Sequence, residues 1–200
     1  MTMPTLSETV PDPWRRYRMA LDDVANRLER ICSAFGQAAV PYAPVGGQAV
    51  AIWVAVKDPA AVRTTKDVDI LLGRTDLARA RAAALAAGFD YFEVLGVGMF
   101  LDRTNPNPRH AVHIIWAGEK IRPEYECAAP TIDQRQEITA GIEVVLLNEL
   151  VRMKLQSNRD QDRVHVRDMI DVGLINRELL SQLSTTLASR LEPLLTESGR

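Results

Sequence analysis

The sequence predicts an α+β fold in which a mixed sheet flanked by helices is followed by a C-terminal helical region. Three observations predict it. An apolar strand carries two acids in Asp67-Val68-Asp69-Ile70-Leu71-Leu72, strand-like runs follow at 89–95, 97–102 and 111–116, and apolar residues take helical spacing from Asn148 onward.

With 200 residues, 46% hydrophobic and 25% charged, the chain suits one compact unit with a helical appendage. A formal net charge of -2 offers no global attraction for nucleic acid or an anionic membrane, so any polyanion must be met by a local patch. Cys32 and Cys127 lie far apart without CxxC spacing, which argues against a disulfide framework and a zinc site. Residues 1–13 read as a flexible tail without the charged and apolar regions of a secretory signal, 14–145 as the α/β core and 146–200 as the helical region. The apolar stretches 38–56 and 142–147 are broken by proline and glycine or too short to span a bilayer, so a cytoplasmic protein with no membrane partner is expected.

Between Trp14 and Phe35 the apolar residues recur at helical spacing, and Gly36 follows as a stop. Pro41 and Pro44 impose an extended approach to Gly46-Gly47, after which 48–56 is an almost wholly apolar run that reads as a buried helix. In the acidic strand, alternation directs Asp67, Asp69 and Leu71 to one face and Val68, Ile70 and Leu72 to the other. An alanine-rich helix is expected at 76–87, with Thr75 as its cap and Gly88 as its stop. A turn-rich segment at 103–109 separates the strands at 97–102 and 111–116, and a further strand or two is expected before Val145. Three helices then follow, marked by Leu150, Met153 and Leu155, by Val164, Val166, Met169, Ile170 and Val172, and by Leu179, Leu183, Leu187, Leu191 and Leu194.

Two glycines ahead of a helix let backbone N–H groups approach a phosphate closely, although a Gly-Gly also suits a tight turn with no ligand. Acids two residues apart on one strand face repel unless a cation, a basic partner or solvent relieves them. Mg²⁺ or Mn²⁺ bridging to phosphate oxygens is one solution, and an edge strand open to water is the other. Lys154 is a cation in an apolar helical pattern, suited to phosphate or to snorkelling at the surface. Asp168 and Asp171, three residues apart on a helix, could equally be ion-pair partners of Arg163 or Arg167.

Gly46-Gly47, Arg63-x-Thr65 and Asp67-x-Asp69 together resemble the signature of the nucleotidyltransferase superfamily. More narrowly, Gly46-Gly47-Gln48-Ala49-Val50, Arg63-Thr64-Thr65-Lys66-Asp67-Val68-Asp69, Lys154-Leu155 and Arg167-Asp168-x-x-Asp171 are similar to the AbiEii-type toxin nucleotidyltransferases and their bacterial relatives, over about 45–172. The resemblance implies a nucleoside triphosphate held by Gly46, Gly47, Gln48, Arg63, Thr65 and Lys154. It implies Mg²⁺ or Mn²⁺ on Asp67 and Asp69, with Lys154 and Asp168 completing the catalytic set. The implied acceptor is tRNA, protein or a small molecule, and the implied partner is an antitoxin protein. Many members carry a third carboxylate on a later strand, where this chain has His113, a candidate metal ligand but a poor substitute for a hard anion. Asp102 and Glu93 are the alternatives for that role. A catalytically silent nucleotide-binding protein, or a toxin–antitoxin partner, is therefore the second expectation.

Overall fold

The computed structural model describes residues 12–138 and 141–199. Helix α1 (Pro13–Gln37) starts with a proline, tolerated there because the first-turn N–H has no intrahelical acceptor. Residues 1–11 of the expected tail lie outside the described residues. The Pro41-to-Pro44 approach proves to be a strand, β1 (Tyr42–Val45), paired antiparallel with β2 (Val68–Leu72). Proline survives in it because β1 is an edge strand and its outer N–H groups have no ladder to serve. Between them lies α2 (Gly46–Lys57), whose Trp53 indole donates to the carbonyl of Val145.

After β2, a 3-10 turn at Arg74–Asp76 leads into α3 (Leu77–Ala86). The expected cap at Thr75 is not made: the N-cap residue is Asp76, and its side chain makes no capping bond. Strands β3 (Phe89–Val94) and β4 (Val97–Asp102) form a hairpin whose turn, Leu95-Gly96, has φ of 51° and 80°, and β5 (Val112–Trp116) completes the sheet. The order is β1-β2-β5-β4-β3, with β2 and β5 parallel and the other neighbours antiparallel.

Strands β6 (Arg135–Glu137) and β7 (Glu143–Val145) form a separate two-stranded ribbon ahead of α4 (Leu147–Ser157), α5 (Asp160–Asp171) and α6 (Thr185–Glu197). The last helix is shorter than its leucine spacing predicts. Leu179 belongs to a 3-10 turn at Arg177–Gln182, and Ser184 restarts the chain as the N-cap of α6 by accepting from the Leu187 N–H.

Strand alternation sorts the interior into two cores. Val68, Ile70 and Leu72 of β2 pack with Val112, Ile114 and Trp116 of β5 against α1 and α3. Leu71 faces the opposite way, into a core shared with α2, β7, α4, α5 and α6. Asp69 lies on this second face. Among the described residues no helix is long and apolar enough to cross a membrane.

Candidate functional site

Val45, the last residue of β1, is paired across the sheet with Asp69, and Asp69 with His113 of β5. The chain therefore has to turn from β1 into α2 directly over the Asp69 carboxylate. Gly46 makes the turn at φ +66°, and a Cβ added to it would stand 2.2 Å from Asp69 Oδ2. A Cβ on Gly47 would stand 2.6 Å from Thr65 Oγ1. Both glycines are demanded by close approach, and Gly46 also by its left-handed backbone. The first N–H groups of α2 have no intrahelical acceptor and form the positive end of the helix dipole beside Asp69. Behind this turn the Gln48 amide donates to the carbonyls of Thr65 and Asp67, at 3.4 Å each, which braces the segment carrying both.

Asp67, one residue ahead of β2, lines the same cleft as Asp69. Burial pushes the Asp69 carboxyl above the usual range, and the charge of Asp67 adds to the effect. His113, whose Nδ1 is 3.8 Å from Asp69 Oδ1, opposes it, as do the charges of Lys154 and Arg159. A cation bound beside the carboxylate would relieve that penalty. Among the described residues no three His, Cys, Asp or Glu side chains form a ready-made metal cage. The donor set nevertheless fits a hard divalent ion of the Mg²⁺ type, which takes one or two protein carboxylates and fills its shell with water and phosphate oxygens.

Across a cleft of about 360 Å³ stands a cationic wall built by α4 and α5. Asn158 adopts a left-handed conformation (φ 48°) that ends α4 and turns the chain into α5. The turn brings Lys154 and Asp162 together, Nζ to Oδ1 at 3.1 Å, with side chains 6% and 1% exposed. Ser157 and Arg159 donate to Asp162 Oδ2 at 2.7 Å each. Burial works against the Asp162 charge, but these hydrogen bonds and the Lys154 ammonium outweigh it and hold its carboxyl far below the usual range. Lys154 is thus a buried, fixed cation and not a snorkelling one.

Gly46, Gly47, Thr65, Asp67, Asp69, His113 and Lys154 all line one cleft. Arg63, Asp168 and Gln48 do not. The Arg63 Nε donates to both Asp168 oxygens at 2.8 Å, tying the loop before β2 to α5. The expected partners of Asp168 are engaged elsewhere: Arg163 pairs with Asp160, and Arg167 with Glu197. The proposed substitutes for the third carboxylate are also remote. Asp102 is held by Arg30 and Thr104, and Glu93 accepts from the Tyr91 hydroxyl. Sequence reasoning passed over Arg122, Tyr125, Ser157, Arg159, Asp162 and His165, which also line the cleft.

The sheet order, the glycine turn over a strand acid and the facing helices define a nucleotidyltransferase-like fold. The chain is similar to the crystal structure of an antigenic nucleotidyltransferase-like protein from Paracoccidioides brasiliensis, with 17% identity, 88% of each chain covered and a TM-score of 0.55. A looser likeness, with a TM-score of 0.48 and 14% identity over 87% of this chain and 95% of that one, is to ANT(2")-Ia in complex with adenylyl-2"-tobramycin. Neither a family model nor a curated protein matches the chain.

Proposed function

We propose that the chain is a metal-dependent nucleotidyltransferase that moves a nucleoside monophosphate from a nucleoside triphosphate to an RNA, protein or small-molecule acceptor in the cytoplasm. The observation that carries this reading is Gly46 pressed against Asp69, with Asp67 beside it and Lys154 across the cleft. This geometry presents backbone N–H groups, two carboxylates and a fixed ammonium to one ligand, which suits a triphosphate bound with a divalent cation.

Asp67 and Asp69 would hold Mg²⁺ or Mn²⁺, which when bound neutralises phosphate charge and orients the triphosphate. The N–H groups after Gly46 and Gly47 receive phosphate oxygens, Thr65 flanks them, and Gln48 keeps the segment in place. Lys154 adds positive charge opposite the acids, and Arg63 with Asp168 holds the two walls at a fixed spacing. An acceptor hydroxyl attacks the α-phosphorus in line and releases its proton to water, the new P–O bond forms as the bond to the β-phosphate oxygen breaks, and pyrophosphate leaves. The resemblance to AbiEii-type toxins extends the proposal to a tRNA or protein acceptor and an antitoxin partner.

His113 supports a second reading, a nucleotide-binding or toxin–antitoxin partner protein without turnover, because an imidazole stands beside Asp69 where a third carboxylate is the usual donor. The experiment is transfer of label from α-labelled nucleoside triphosphates, with Mg²⁺ or Mn²⁺, onto macromolecules of a cell extract. Under the first reading label is transferred and Asp69→Ala abolishes it. Nucleotide binding without any transfer supports the second.

A further inference from the structure

The loop that follows β5 is tied to both walls of the cleft. At its base the Gly118 N–H donates to the carbonyl of Pro130 at 3.0 Å and the Ala129 N–H to that of Glu119 at 2.8 Å. Segment 119–129 is therefore a compact Ω-loop whose ends meet beside the sheet, and the Glu119 side chain accepts from Arg74 Nη2 at 2.9 Å. Its returning limb is clipped to α4, because the Gln156 amide accepts from the Cys127 N–H at 2.6 Å and donates to the Cys127 carbonyl at 2.8 Å. Between these anchors the loop brings Ile121, Arg122 and Tyr125 to the cleft lining.

Strand register fixes where the loop enters. Asp69 is level with His113, and Ile115, two residues and about 7 Å further along the same face of β5, also lines the cleft. The loop leaves β5 beyond Trp116, at the end of the strand away from Asp67 and the glycine turn. The two ends of the cleft differ in chemistry. Carboxylates and backbone N–H groups at one end suit metal and phosphate, whereas the loop brings an aromatic ring, an aliphatic side chain and a guanidinium from the other. The Arg122 Cζ is 5.9 Å from the Tyr125 ring centroid, and Glu124, 3.8 Å away, offsets its charge. What this pair offers a ligand is planar surface, the kind on which a nucleobase stacks.

We propose, resting on the nucleotidyl-transfer reading, that Tyr125 receives the nucleobase by stacking, with Ile121 and Arg122 beside it, and makes the cleft select nucleotides over base-free polyphosphates. Gln156 is a positioning residue, since its two bonds to the Cys127 backbone hold the loop, and with it the ring, against α4. Ordering the loop before the ligand arrives spares the binding step that entropic cost.

The test is calorimetry with Mg²⁺ and two ligands: whichever of ATP, GTP, CTP and UTP binds best, and inorganic tripolyphosphate. Wild type is compared with Tyr125→Phe, Tyr125→Leu, Tyr125→Ala and Gln156→Ala. Loss of the ring in the Leu and Ala variants should weaken the nucleotide about tenfold or more and leave tripolyphosphate within about twofold, while the Phe variant keeps most of the nucleotide affinity. Gln156→Ala keeps the ring and frees the loop, and it should weaken the nucleotide in the same direction with tripolyphosphate again unchanged. A Leu variant that binds the nucleotide as wild type does, or equal losses for both ligands, overturns the stacking role of Tyr125 while nucleotide binding stands. An unchanged Gln156→Ala overturns the positioning role of Gln156. A wild type that binds neither ligand overturns the nucleotidyl-transfer reading, and this assignment with it. Melting curves identify any variant that fails to fold, and the Leu and Ala variants substitute for each other in that event.

Discussion

Two carboxylates of the cleft meet opposite surroundings. Asp162 is buried and fully partnered, so Asp162→Ala leaves the Lys154 ammonium unpaired in the interior and should cost about 3–5 kcal/mol by urea unfolding. Asp69 is penalised in its charged form. Its folded-state pKa is raised, so the native state holds the proton more tightly, and stability falls as pH climbs from the usual carboxylate range through the raised value. Asp69→Asn should remove that loss and melt no lower than wild type at neutral pH, while eliminating transfer. Gly46→Ala should lose both stability and nucleotide binding, with roughly 1–2 kcal/mol from the left-handed backbone before the clash with Asp69 is counted. The glycine pair and the Asp67-x-Asp69 strand were legible in the sequence because each is a local demand of backbone and charge. Asp162, Arg159 and His165 were not, since they sit in a charge-rich run that reads as an ordinary solvated helix start until α4 folds against it.

The helices and strands were legible wherever periodicity was long. Strand β1 was hidden by Pro44, which only an edge position excuses, and the start of α6 was masked because leucines of a 3-10 turn continue the helical spacing. What periodicity never reveals is how one segment is fastened to another. The Arg63–Asp168 pair joins the loop before β2 to α5, with side chains 63% and 10% exposed. An ion pair this open to solvent contributes little to stability, so Arg63→Ala should move the urea midpoint by less than about 1 kcal/mol. Its consequence should be on affinity, which can be checked by nucleotide titration at low and high salt: the wild type weakens toward the variant as screening rises.

The acids and the cationic helices belong to opposite walls, so binding should require both metal and protein. EDTA, or Asp67→Asn, should each weaken triphosphate affinity about tenfold or more by calorimetry, and together they should add little. Acid should destabilise the folded chain through His165 in addition to its carboxylates. The His165 pKa of about 4 lies below the usual 6.5, so its contribution is complete above pH 6.5 and is lost as pH falls toward 4. The loss is on the order of 3 kcal/mol, and His165→Gln should flatten that limb of the stability profile. The row Val45–Asp69–His113–Met99, which crosses four strands, has a further consequence for folding fidelity. A slip of β5 by one residue would drive His113 into the apolar core and bring Val112 or Ile114 out to the cleft. The polar side chains of the site thus also act as a register lock, and His113→Val should let misaligned, slowly refolding molecules accumulate.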